Sequence, residues 1–105
     1  MKLIGKLIPK ADTEFAIGLA KKIILQYPPS SEPKLARKGS QKRLEGILAS
    51  VMQEIAVFQS THRLGWFRKA RFANTFRWQL KDAGYSEGFT EALTEGVVKH
   101  ITLTK

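Results

Sequence analysis

The chain has 105 residues, with 18 Lys and Arg against 9 Asp and Glu, a formal net charge of +9 at pH 7, 43% hydrophobic residues and no Cys. That length suits one domain (residues 1–105) and leaves no room for a second core, while the apolar share is too high for a disordered tail. The lack of Cys excludes disulfide scaffolds, Cys-ligated zinc, iron–sulfur sites and thiol nucleophiles, and the basic excess points to a polyanionic partner.

Residues 1–11 read as an N-terminal segment. Its apolar residues come in pairs, Leu3-Ile4 and Leu7-Ile8, separated by Lys6 and closed by Pro9. A secretory signal needs an unbroken apolar run of about 7–15 residues, and a membrane span about 18. The expectation is a cytoplasmic protein with no membrane partner.

Asp12 is placed to cap a first helix running to about Tyr27, with Phe15, Ala16, Leu19, Ala20, Ile23, Ile24 and Tyr27 on one face. Pro28-Pro29 ends it, because proline has no donor and restricts the residue before it. Residues 28–40, with three prolines, three serines and Gly39, read as a long basic loop. This loop carries Lys34, Arg37 and Lys38, and Lys42 and Arg43 follow at the next helix start. Cations beside the free N–H groups of a helix start suit a phosphate.

Ser40 is the expected cap of a second helix. In it, Leu44, Ile47, Leu48, Val51, Met52, Ile55 and Phe58 recur at a spacing no strand could hide on one side. Gly65 is expected to end or bend it. A third helix is predicted from about Trp66 to Ala83, with Gly84 as stop. Ser86 caps a fourth, where Phe89, Leu93, Val97, His100 and Ile101 align. No strand alternation and no repeat interrupts the pattern. The expected fold is all-α, a compact four-helix bundle with one long basic loop between the first and second helices.

Charge is segregated along the chain. Residues 34–81 hold 11 Lys and Arg against 2 Asp and Glu, and no acidic residue lies between Ile55 and Lys81. On a helical wheel the third helix has a core stripe of Phe72, Ala73, Phe76, Leu80 and Ala83. The opposite arc holds Arg63, Arg71, Asn74, Arg77 and Lys81, with Phe67 and Trp78 among them, and Arg68 nearby. Arginines hold phosphates while interleaved aromatics stack on bases. Trp78 is equally typical of a protein-binding hot spot, and Phe67 suits a protein contact or packing within the chain. Lys69 falls on the core side, which the wheel does not explain.

The fourth helix has the opposite sign. Glu87, Glu91 and Glu95 repeat at i, i+4 and i+8, and each such like-charge pair costs about 0.2–0.5 kcal/mol in an isolated helix. A basic partner surface, such as a second copy of the chain, would offset that cost, so these three are candidate protein-contact residues. The same carboxylates rule out a helix-turn-helix reading of the last two helices, since the second would bring acid to the phosphates.

Catalysis has no support. His62 and His100 lie on different helices without the His/carboxylate spacing of a metal site, and no phosphate loop, dinucleotide fingerprint or nucleophile elbow occurs. His100 reads as a core or edge residue, and His62 as an aid to a phosphate contact. No enzyme activity and no cofactor is expected.

In size, helical class and charge layout, the whole chain resembles the small subunit of multi-subunit (class 1) CRISPR effector complexes. The resemblance implies a non-catalytic helical protein, present in several copies, that holds guide or target strands by their backbone. It further implies larger protein subunits as partners and a nucleic-acid ligand that is a single strand or a heteroduplex. Sequence reading is then delegated to base pairing, and affinity falls steeply with salt. Two other readings remain: a stand-alone nucleic-acid binder, and a protein-interaction module whose basic face meets an acidic protein.

Overall fold

The computed structural model describes residues 10–62 and 64–103; the expectations for Met1–Pro9 and for Arg63 lie outside the described residues. The architecture is all-α: α1 (Lys10–Gln26), a 3₁₀ helix (Pro29–Lys34), α2 (Lys38–Thr61), α3 (Trp66–Ala83) and α4 (Glu87–Leu103). Among the described residues there is no strand. The four α-helices fall where the apolar periodicity places them.

The core is built by the stripes that share a helical face. α3 packs against both α1 and α4, and α2 packs against α1 and α4. Phe72, Phe76 and Leu80 of α3 are fully buried and meet Ala16, Leu19, Ala20 and Ile23 of α1 and Phe89, Leu93, Val97 and Ile101 of α4 in one cluster. Val51 and Ile55 seat α2 on the same core. A ring stack reinforces this joint, with Phe15 at 4.1 Å from Phe58 and Phe58 at 4.3 Å from His62, both nearly parallel. His62 is therefore the C-cap residue of α2 stacked on Phe58, with its Nδ1 2.8 Å from Thr61 Oγ1.

Several local expectations are corrected. α1 begins at Lys10, so residues 10 and 11 belong to the helix and Asp12 lies in its first turn. Asp12 is no cap: it is buried and bonded to Arg68, because a fixed guanidinium satisfies a buried carboxylate better than a helix end exposed to water. Residues 28–40 are not an irregular loop. Pro28 has φ −62° and Pro29 sits at the first position, and these pre-set angles favour the tight 3₁₀ turns through Lys34. α2 then starts earlier than expected, with Arg37 as its extended N-cap residue and no side-chain cap. Ser40 lies inside the first turn, where its Oγ is 2.7 Å from Tyr27 Oη. α2 ends at Thr61, so Gly65 does not terminate it and is instead the N-cap residue of α3.

The α3–α4 corner follows the sequence reading. Gly84 has φ +112°, the left-handed conformation in which a side chain would be strained, and its N–H closes on Lys81. Ser86 Oγ accepts from Phe89 N–H at 3.2 Å, as a helix cap does. The corner is tied to the 3₁₀ helix: Glu32 accepts from the Ser86 N–H at 2.8 Å and from the Ser86 hydroxyl. Beneath it, the buried Tyr85 hydroxyl donates to the Tyr27 carbonyl.

Burial pushes the Tyr85 hydroxyl up to about 12, helped by the negative charge of Glu32 and by Tyr27. The neutral phenol is thus favoured in the folded state, while in the unfolded chain it ionises near its ordinary value of about 10. Its contribution to stability is complete below about pH 10 and is lost as pH rises towards 12, because the unfolded state then holds fewer protons. Urea unfolding of the wild type between pH 9 and 12 should show this decline. Tyr85→Phe should be less stable at pH 9 and decline less steeply above pH 10; parallel slopes would exclude Tyr85 as the titrating group.

Candidate nucleic-acid interface

α3 presents two faces of opposite character. Against the core lie Phe72, Phe76 and Leu80; on the other side Phe67, Arg71, Asn74, Trp78 and Lys81 succeed one another at i, i+4, i+7, i+11 and i+14. These five are all exposed and form a continuous ridge, with Phe67 76% and Trp78 54% accessible. The ridge brings together five of the residues singled out from sequence. Arg71 and Lys81 form no ion pair among the described residues. Lys81 Nζ lies 5.3 Å from the Trp78 ring centroid, so the cation and the aromatic face are held as one unit.

Two expected phosphate contacts are otherwise engaged. Arg68 grips Asp12 with Nε at 2.6 Å and Nη2 at 2.8 Å, a bidentate bond joining the first turns of α1 and α3. Hydrogen bonding to Asp12 raises the proton affinity of this guanidinium, and partial desolvation opposes the rise. Arg68 is therefore an architectural residue here, removed from the set of free cations by its charge match with a buried carboxylate. Arg77 Nη1 donates to Glu91 at 2.9 Å, with both side chains about two-fifths exposed. A pair this open contributes only about 0.2–1 kcal/mol, so it is readily exchanged for another partner. The cleft beside it, about 60 Å³, is lined by Arg77, Trp78, Lys81, Glu87, Thr90 and Glu91.

The carboxylates of α4 divide accordingly: Glu91 is paired with Arg77, while Glu87 and Glu95 are exposed and form no ion pair among the described residues. Lys69, unexplained by the wheel, reaches Thr102 Oγ1 at 2.8 Å and so links α3 to α4.

The second basic group, Lys34, Arg37, Lys38, Lys42 and Arg43, is exposed along the 3₁₀ helix and the start of α2, with no ion pair among the described residues. Through the Glu32–Ser86 and Tyr85–Tyr27 bonds this group stands at the same end of the molecule as Lys81. Trp66 escaped the sequence reading. It is 72% exposed and packs edge-to-face on Phe67 at 4.8 Å, and its adjacency to Phe67 in an acid-free stretch was the available signal.

Among the described residues no group of three or more His, Asp or Glu is arranged to hold a metal ion, and no helix is long and apolar enough to cross a membrane. Comparison with known proteins adds no relative: no family model, curated protein or solved structure matches the chain.

Removing Arg68 leaves the buried Asp12 carboxylate without its partner. Because the Arg68 side chain is about one-third exposed, water takes over part of its role. Arg68→Ala should therefore lower the unfolding free energy by about 1–3 kcal/mol. Asp12→Ala/Arg68→Ala should be less destabilised than the sum of the single changes, as measured by urea unfolding of all four proteins. Additive losses would show that the pair is not coupled.

Proposed function

We propose that this chain is a non-catalytic protein that binds a nucleic-acid backbone independently of sequence, on a four-helix bundle scaffold. The α3 ridge is the observation that supports this most. Unpaired cations at helical spacing neutralise successive phosphates, and Trp78, held under Lys81, offers a π-face to any base. Asn74 between them adds a neutral donor and acceptor for sugar or phosphate oxygens. Such a surface needs no deformation of the protein and no chemistry of its own. It suits a single strand, whose bases are free to stack, or the backbone of a heteroduplex.

The size, class and charge layout further support a place within a larger ribonucleoprotein, of the kind formed by the small subunits of CRISPR effector complexes. Larger subunits and further copies of this chain are then its protein partners, in the cytoplasm. The free Glu87 and Glu95 of α4 supply an acidic surface for the basic surface of a neighbour.

A protein-interaction module is favoured by a different observation, the exposed Trp66–Phe67 pair. Paired exposed aromatics are a common anchor at protein interfaces.

Fluorescence anisotropy with labelled single strands across a salt series tests the main reading. Arg71→Ala/Lys81→Ala should weaken binding uniformly across sequences and lower the log–log salt slope by about 1.4, roughly 0.7 for each single-strand phosphate no longer neutralised. Trp78→Ala should cost about 1–3 kcal/mol for the stacked base and leave the slope nearly unchanged. An unaltered slope in the double variant would place the interface elsewhere. If Trp66→Ala/Phe67→Ala abolishes capture of a protein partner while strand binding is intact, those two aromatics serve the protein contact.

A further inference from the structure

The end of the molecule where the 3₁₀ helix meets α2 contains a hollow of about 380 Å³, lined by Tyr27, Ser31, Lys34, Arg37, Gly39, Ser40 and Arg43. Three cations converge on it from two elements, the 3₁₀ helix side and the first turns of α2, and none forms an ion pair among the described residues. No carboxylate lines it. The one acidic residue of the 3₁₀ helix, Glu32, is bonded instead to Ser86. An ordered pair of hydroxyls lies in its wall: Tyr27 is buried, and its Oη contacts Ser40 Oγ at 2.7 Å and donates to the Ser31 carbonyl at 3.3 Å.

This concentration of positive charge is costly where it stands. α2 begins with no side-chain cap and no acidic residue in its first turn, and Arg37, Lys38, Lys42 and Arg43 crowd an end that already bears partial positive charge. An anion seated in the hollow would remove both penalties at once, since it pairs with the side chains and accepts from the uncapped N–H groups of the α2 start. The volume accommodates a tetrahedral oxyanion together with part of the group that bears it, and the hollow is open enough for the rest of a polymer to leave it.

We propose that this hollow is a phosphate seat, in which Arg37 and Arg43 hold the oxygens by charge-assisted bonds, Lys34 adds a third charge and Ser40 turns its hydroxyl proton from Tyr27 Oη to the anion. The identification of the phosphate as one belonging to a nucleic-acid strand rests on the function proposed above. The seat then anchors the strand at the end of the molecule that also bears Lys81, and it gives the otherwise uniform backbone contact a defined point of attachment.

Amide resonances of Gly39 and Ser40 report on the hollow directly. In ¹H–¹⁵N spectra at constant ionic strength, inorganic phosphate should move them saturably, and Arg37→Ala/Arg43→Ala should weaken that response about tenfold while preserving the helical circular dichroism. A response that chloride reproduces, or none at all, overturns the seat. Single strands with and without a 5′-phosphate separate the sources. A shift with the phosphorylated strand alone assigns the seat to a strand end, and equal shifts with both assign it to an internal phosphate. Saturation by inorganic phosphate without any strand binding, by the amides or by anisotropy, upholds the seat and overturns the nucleic-acid reading. Strand binding that depends on Arg71 and Lys81 but leaves Gly39 and Ser40 unmoved does the reverse.

Discussion

Burial of Phe72, Phe76 and Leu80 between α1 and α4 is the interaction on which the rest of the molecule depends. Each ring or branched side chain removed from water contributes about 1.5–3 kcal/mol, and all three are on one stripe of one helix. That stripe fixes the rotation of α3 about its axis. Once it is fixed, the positions half a turn away have no freedom: Phe67, Arg71, Asn74, Trp78 and Lys81 must face outwards. The core therefore does more than stabilise the chain. It aims the ridge.

The remaining polar contacts hold this central helix in place along its length. Arg68 on buried Asp12 pins its start to α1, and Lys69 on Thr102 and Arg77 on Glu91 tie it to α4. At its far end the Gly84 turn passes beside Pro29, and Glu32 and Tyr27 lock the corner to the 3₁₀ helix. Two basic regions that are distant in sequence, residues 34–43 and Lys81, thereby come to one end of the molecule. For the function proposed above, this arrangement spares the cost of ordering the cations when a strand binds.

Much of this was legible in the sequence because helical periodicity records burial directly. The stripes from Ala16 to Ile23, from Leu44 to Ile55, from Phe72 to Leu80 and from Phe89 to Ile101 are the observed core. The Gly84 stop and the Ser86 cap were equally readable, since each rests on the intrinsic conformational preference of one residue. Where a residue had a choice of partners, local reasoning failed. Asp12 and Ser40 have the chemistry of caps, yet each found a partner elsewhere in the fold, Arg68 for one and Tyr27 for the other. The Pro- and Ser-rich stretch had the composition of a loop, but its prolines also pre-set the angles of a 3₁₀ helix, and the contact of its Glu32 with Ser86 stabilises that form.

The sequence by itself determined the helical class, the core face of each helix, the sign of the charge and the outward placement of Arg71, Trp78 and Lys81. These follow from spacing along a single helix, which is a local property. Only the tertiary structure decided which cations remain free. Arg68 and Arg71 are alike in one dimension, and they differ because one of them meets a buried carboxylate 56 positions away. The hollow formed by Tyr27, Lys34, Arg37, Ser40 and Arg43 is likewise a product of folding. Its walls come from Tyr27 just past α1, the 3₁₀ helix and the start of α2, and no pattern along one helix encodes a concave surface that exists only where separate segments meet.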